Sequence, residues 1–269
     1  MSGARSQQTR VLVIGASGRM GRALVRMAAE RAEVRISGCV VREGAAELGR
    51  DAGDLAGIGR IDVPLRTDLP VALAECDVAV DFSQPSVTAA NLAACVAAGK
   101  PLLIGTTGLP LQLGEDIERA ARHIALLVAP NTSLGVTVLL ELVKRAAQAL
   151  PADFDIEIVE AHHRMKKDAP SGTALALGRA AASGRGQDFA QVAVTDRNGA
   201  RRSGDIGFAV VRGGDIVGDH NVIFAGTGEQ VQLLHRATDR NVFARGALTA
   251  AQWLHSQAPG QYHMRDIIL

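Results

Sequence analysis

Aromatic residues are scarce in this chain: six Phe, one Tyr and one Trp make up 3% of its 269 residues. Single-stranded nucleic-acid binders use such rings as stacking platforms for bases, so the shortage argues against that class. An excess of one charge is missing too. The 29 Lys and Arg against 28 Asp and Glu leave a formal charge of +1, which gives no broad field for a polyanion or an anionic membrane surface. Apolar runs fall well short of the ~20 residues a bilayer requires. The first nine residues are polar, lack the apolar core of a secretory leader and read as a loose tail. The expectation is a cytoplasmic protein that binds neither membrane nor nucleic acid. Cysteine is limited to Cys39, Cys76 and Cys95, all in apolar surroundings. They read as small buried hydrophobes in a reducing compartment. No Cys/His spacing resembles a metal site, so no metal is expected.

What is present is a 47% hydrophobic composition, largely aliphatic, with 29 glycines. Up to about residue 130, short apolar runs at 11–14, 34–41, 78–82, 102–104 and 125–128 alternate with helical stretches such as 86–98 and 114–122. That βαβα order predicts an α/β fold with a Rossmann-like, doubly wound parallel sheet. Beyond residue 133 the pattern changes to a helix at 134–150, an alternating strand at 154–160 and a helix from 173 to about 182. Strand-like runs follow at 191–195, 206–211, 216–224 and 230–236, then an amphipathic helix at 241–257. The expected organisation is a dinucleotide-binding domain of residues 1–132, completed by 241–269, and an α+β substrate and oligomerisation domain of residues 133–240. The second domain would hold an open mixed sheet. Such a sheet needs cover. Val210, Val217, Val222, Phe224 and Val231 offer apolar material for a homo-oligomer contact, the alternative being a helix of the same chain.

Two motifs carry chemistry. The first follows the run 11–14: Gly15-Ala16-Ser17-Gly18-Arg19-Met20-Gly21. Strand, glycine turn and helix in that order form a pyrophosphate-binding unit. Gly15 allows the tight turn, Gly18 a close backbone approach and Gly21 close helix packing. A plain turn is the alternative. After the second strand come Val41, Arg42 and Glu43, where a strict NAD enzyme usually carries an acidic residue for the ribose. Arg42 offers a planar donor fork to a 2′-phosphate, and Arg19 could reach the same region. The lean is toward NADPH, with Glu43 leaving NADH open. Further strand ends supply Gly105-Thr106-Thr107 and Ala129-Pro130-Asn131-Thr132, which read as cofactor lining or as turn caps.

The second motif is Glu160-Ala161-His162-His163-Arg164-Met165-Lys166-Lys167-Asp168-Ala169-Pro170-Ser171-Gly172-Thr173. Imidazoles and cations lead into a helix start, which suits an anionic ligand. A solvated basic loop is the plainer alternative. Asp168 is expected to order the loop by pairing with Arg164 or Lys167.

With both motifs in hand, the chain resembles the 4-hydroxy-tetrahydrodipicolinate (dihydrodipicolinate) reductases of bacterial lysine and diaminopimelate synthesis. The resemblance runs from about Thr9 to the C-terminus, most specifically over residues 160–174. Asp81-Phe82-Ser83 and Gly218-Asp219-His220-Asn221-Val222 add to it. It implies NAD(P)H-dependent reduction of a cyclic imine dicarboxylate, 4-hydroxy-tetrahydrodipicolinate by way of dihydrodipicolinate, to tetrahydrodipicolinate, in a homotetramer. It implies His162 as proton donor, Lys166 as a second catalytic cation, and His163, Gly172 and Thr173 as substrate contacts. Gly15 to Met20, Arg42, Gly105 to Thr107 and Ala129 to Thr132 would line the cofactor. Domain closure, hinging near 131–134 and 239–241, would bring hydride donor and acceptor together. Two rivals stand beside this reading. One is a different nicotinamide enzyme of similar layout, such as an amino-acid or semialdehyde dehydrogenase; the phosphorylating semialdehyde version needs a cysteine nucleophile in its second domain, yet all three cysteines precede residue 100. A cofactor-binding sensor would have no use for His162 and Lys166.

Overall fold

A computed structural model describes residues 8–196 and 198–268. The polar tail lies, up to residue 7, outside the described residues. The elements run β1 (Thr9–Ile14), α1 (Arg19–Ala29), β2 (Val34–Val40), α2 (Ala52–Ala56), β3 (Leu65–Arg66), α3 (Leu69–Ala74), β4 (Val78–Asp81), α4 (Pro85–Ala97), β5 (Leu102–Ile104), α5 (Leu113–Ala120) and β6 (Ala125–Val128). They continue as α6 (Leu134–Ala149), β7 (Asp155–His162), α7 (Gly172–Gly184), α8 (Phe189–Val192), β8 (Ala193–Val194), β9 (Ile206–Arg212), β10 (Gly218–Gly226), β11 (Glu229–Ala237), α9 (Asn241–Leu254) and β12 (Gly260–Tyr262), before a 3-10 turn at Met264–Ile267. The chain divides into two units, residues 1–133 with 241–269, and residues 134–240. No described helix is long and apolar enough to cross a membrane.

The first unit is a seven-stranded sheet in the order β12-β6-β5-β4-β1-β2-β3, parallel throughout. Its central strands are apolar on both faces because helices cover both, as parallel crossovers require. Leu12, Leu102, Leu103, Ile104, Leu126 and Leu127 are fully buried. The order reverses between β1, which pairs with β2, and β4, which leads to β5 and β6. A reversal opens a crevice at the carboxyl ends of the strands, where ligands of such sheets bind. The C-terminal α9 packs on α1 and on β4, β5 and β6 of this unit.

The second unit is a five-stranded mixed sheet, β11-β10-β7-β9-β8. Strand β7 lies at its centre, antiparallel to β10 and parallel to β9. The period of two in Asp155–His162 turns Ile156, Ile158, Glu160 and His162 inward and leaves Asp155, Glu157, Val159 and Ala161 half-buried on the other face. Helices α6 and α7 cover the inward face. Leu139, Val143, Leu177 and Ala181 pack there against Ile156, Ile158, Phe208, Val222 and Phe224. Register corrects one sequence expectation: Val222 and Phe224 belong to this helix-covered core, and Val231 packs against it. The opposite face carries Val159, Ala161, Ala209, Val211, Asn221, Ile223 and Leu234, by the pairings 159↔209, 161↔211, 221↔159 and 221↔234. Charged pairs flank it: Arg236 with Asp219 at 2.8 Å, and Arg201 with Asp155 and Glu157.

Candidate active site

In the first unit, four loops leave the sheet at one level. Backbone bonds continue the ladder one residue past each strand: Gly15 N–H to Val40 O, Phe82 N–H to Ile14 O, Gly105 N–H to Asp81 O and Ala129 N–H to Ile104 O, at 2.9–3.1 Å. The glycine turn sits in the crevice. Gly15 has φ +84°, and a Cβ there would lie 2.7 Å from Phe82 O. A Cβ on Gly21 would lie 2.5 Å from Gly15 O, so helix α1 meets the turn more closely than any side chain permits. Gly18 caps α1 without a side-chain hydrogen bond, and no acidic residue occupies the first turn. A helix start of this kind presents amide donors and a positive dipole end to a pyrophosphate. The residues therefore fit a dinucleotide.

The other cofactor-side residues divide by exposure. Arg19, Arg42, Thr107 and Pro130 are exposed, and Ser17, Met20 and Asn131 are half-buried. Ala16, Gly105, Thr106, Ala129 and Thr132 are buried. Thr106 and Thr132 use their hydroxyls internally. Thr106 Oγ1 donates to Asp81 O at 3.3 Å, and Thr132 Oγ1 donates to Phe243 O at 2.7 Å. Asp81 is fully buried and also accepts from Ser83 N–H and Asn91 Nδ2. Through Ser83, Thr106 and Asn91, Asp81 ties the ends of β4 and β5 to the middle of α4.

In the second unit, β7 ends in a charged cluster. Glu160 and His162 are two residues apart, so the pleat sends both to the inward face. His162 Nδ1 stands 2.5 Å from Glu160 Oε2. Arg212, at the end of neighbouring β9, grips the same carboxylate at 2.7 and 2.8 Å. Ser171 N–H donates to its other oxygen at 3.0 Å. Glu160 is wholly buried. Removing the partner of a buried charge costs about 3–5 kcal/mol, so this pair ties β7, β9 and the loop before α7 into one body. Burial raises the Glu160 carboxyl, but the hydrogen bonds from Arg212, His162 and the Ser171 amide outweigh it and hold the group below the ordinary carboxylate range. Burial pushes the His162 imidazole below its ordinary value; Glu160 opposes, while Lys166 and Arg212 add to the depression.

Helix α7 begins beside this cluster. Ser171 is its N-cap, with Oγ accepting from Ala174 N–H at 3.2 Å, and Gly172 and Thr173 are its first two residues. Ser171 Oγ also lies 3.1 Å from Nε2 of His220, whose ring meets His162 edge-on at 5.1 Å. Burial pushes His220 down to about 4, and His162 and His235 add to the depression. Lys166 is half-buried and pairs with Asp168 at 2.9 Å. This corrects the expectation for Asp168, whose partner is Lys166 rather than Arg164 or Lys167. Asp168 also meets Arg212, through its carbonyl at 2.6 Å.

The structure thus gathers His162, His163, Lys166, Gly172 and Thr173 around the end of β7 and the start of α7. It adds Glu160, Ser171, Arg212 and His220, to which sequence reasoning gave no role. A signal existed for Glu160, since an i, i+2 pair on an alternating strand shares a face. None existed for Arg212, fifty-two residues away along the chain.

Comparison with known proteins agrees with this geometry. The family model for the dihydrodipicolinate reductase N-terminus matches residues 9–132, and that for its C-terminus matches residues 135–268. A 4-hydroxy-tetrahydrodipicolinate reductase from Halorhodospira halophila is 49% identical over 259 residues, covering 95% of this chain and 97% of that protein. One from Pseudomonas fluorescens SBW25 is 47% identical, covering 96% and 98%. Among solved structures, a dipicolinate-bound dihydrodipicolinate reductase from Paenisporosarcina sp. TG-14 shares the fold with a TM-score of 0.78 at 23% identity, over 98% of this chain and 100% of that one. An amine dehydrogenase from Mycobacterium smegmatis shares it with a TM-score of 0.63 at 14% identity, over 97% and 96%. From the glycine turn to the histidine cluster, this chain belongs to the dihydrodipicolinate reductase family.

Proposed function

We propose that this chain reduces 4-hydroxy-tetrahydrodipicolinate, by way of dihydrodipicolinate, to tetrahydrodipicolinate in diaminopimelate and lysine synthesis. The observation that carries the reading is the cluster at the end of β7: a buried imidazole on an ionised carboxylate, with an ammonium and a helix start at hand. The family is an NAD(P)H-binding, Rossmann-type one, and the glycine turn fits such a cofactor. When bound, the nicotinamide supplies hydride to C4 of the conjugated imine. The chain's residues do the rest. His162 delivers a proton to C3, where negative charge would otherwise accumulate; general-acid help of this kind is worth roughly 10²–10⁴ in rate. Lys166, His163 and the backbone of Gly172 and Thr173 hold the two carboxylates and balance developing charge.

NADPH is the preferred cofactor in this reading. Val41 is buried, and the first side chains free to meet an adenosine ribose after β2 are the exposed Arg42 and Glu43. Arg19 is exposed on the glycine turn. The chain works as a homotetramer in the cytoplasm. The apolar centre and charged flanks of the β7–β10 face opposite α6 and α7 support self-association there, since stable interfaces pair an apolar core with a polar rim.

Loss of absorbance at 340 nm, with NADPH or NADH and freshly generated substrate, tests the activity. His162→Ala and Lys166→Ala are each expected to lower kcat by about a hundredfold or more, while cofactor still binds by fluorescence titration. Normal turnover in both variants would remove these assignments.

A further inference from the structure

The transferable proton of His162 has to sit on one particular ring nitrogen, and the surroundings select which. Nδ1 stands 2.5 Å from Glu160 Oε2. Arg212 holds that carboxylate with two nitrogens, and the Ser171 amide donates to it as well. An ionised carboxylate only accepts hydrogen bonds, so the ring must keep a hydrogen on Nδ1 whether it is neutral or charged. We propose that Glu160 and Arg212 are positioning residues for the reduction: they keep the hydrogen of neutral His162 on Nδ1, so that Nε2 is the atom that gains and releases the transferred proton. The proposal rests on the reading of His162 as the proton donor.

Arg212 has a second part in this arrangement. A bare carboxylate beside an imidazolium would hold the proton too firmly for release. The guanidinium, bonded to both carboxylate oxygens, offsets that negative charge. The groups facing His162 are Glu160 and Arg212 from the sheet, Lys166 from the loop beyond β7 and His220 from β10, edge-on at 5.1 Å. Only Glu160 among them favours the charged ring. With burial, Lys166 and Arg212 acting against it, the imidazole sits below its ordinary range. Such a ring releases its proton readily near neutral pH.

The test is ¹H–¹⁵N NMR of the full chain labelled with ¹⁵N-histidine, with His162→Gln used to assign the ring. Neutral His162 in the unmodified protein is expected to carry its hydrogen on Nδ1. Arg212→Gln is expected to move the His162 midpoint up by about one pH unit, which is about a tenfold rise in the charged fraction at a fixed higher pH. Arg212→Lys should return it part of the way, and Glu160→Gln should move it down. The pH limb of kcat/KM should follow the same displacements. A hydrogen on Nε2 of neutral His162, or midpoints that Arg212→Gln and Glu160→Gln leave in place or move together, would overturn the proposal. The tautomer measurement needs no variant to fold with the site intact. Failure of the underlying reading shows differently, as full turnover by His162→Gln.

Discussion

Gly218 lies against the imidazole of His162: a Cβ built there would stand 3.1 Å from Nε2. Its neighbour Asp219 pairs across the sheet with Ala161, the residue before His162. The ring nitrogen turned away from Glu160 therefore faces a position without a side chain. Gly218→Ala should crowd that nitrogen and push the ring off its line. Misplacement of a catalytic group by a fraction of an ångström lowers rate strongly, so kcat should fall about tenfold or more, with a smaller change in substrate KM. Steady-state kinetics on a variant whose unfolding midpoint is near the parent's would check this, and an unchanged kcat would count against it.

Acid should begin to weaken the folded chain above the range in which carboxylates titrate. Burial depresses His220 from 6.5 to about 4. Between those values the unfolded chain binds a proton there that the folded chain refuses, so stability falls as pH falls through that window. The full gap corresponds to roughly 3 kcal/mol. Overlapping the lower end of that window, the depressed Glu160 carboxyl adds a further loss as pH falls below its ordinary value of 4.5. Urea unfolding at pH 7 and pH 4.5 should show the decline, and His220→Gln should reduce its slope by about one proton. Equal slopes in the two proteins would remove His220 from the explanation.

Much of this was legible in the sequence for a physical reason. The strands of the first unit are short apolar runs closed by small or polar residues, so both ends of each are marked, and Gly15 and Gly21 of the turn sit where a Cβ has no room. Less regular pieces were not legible. Residues 49–74 form α2, β3 and α3, elements of two to six residues, too short for periodicity to show. The expected strand at 191–195 is the end of α8 followed by the two-residue β8. Strand β12 is three residues held by pairing with β6. In the site, the histidine loop was readable because its residues are contiguous. The partners Arg212 and His220 come from strands β9 and β10, and only tertiary register puts them beside Glu160 and Ser171.

The glycine turn yields a prediction about stability. A Cβ on Gly21 would meet Ala16 Cα at 2.6 Å and Gly15 O at 2.5 Å. Both are backbone atoms, so no side chain can give way. Gly21→Ala is expected to destabilise the chain by about 1–3 kcal/mol and to weaken cofactor binding with it. Thermal unfolding of the variant would decide. A midpoint at or above the parent's would mean that α1 can lift from the sheet at little cost.

Cofactor choice can be tested at Arg42, which is exposed just past the end of β2. Arg42→Ala should raise the Kd for NADPH about tenfold, the loss expected for a charge-assisted bond of roughly 1.5 kcal/mol or a little less, and should change that for NADH far less. Equal losses for the two cofactors would mean that Arg42 does not meet a 2′-phosphate.

The alternation along β7 has a consequence for which changes the chain can absorb. Glu160 and His162 use one side of the strand, while Val159 and Ala161 use the other. Replacing a residue on one side leaves its neighbours' direction untouched, so the outer side can change in composition without disturbing the cluster. Deleting or inserting a single residue between Ile156 and Glu160 would reverse both sides at once. It would carry the carboxylate and the imidazole out of the cluster and drive Val159 and Ala161 into it. The outer side of this strand is therefore open to substitution while its length is fixed, and relatives that keep the chemistry should vary in loop length around β7 but never within it.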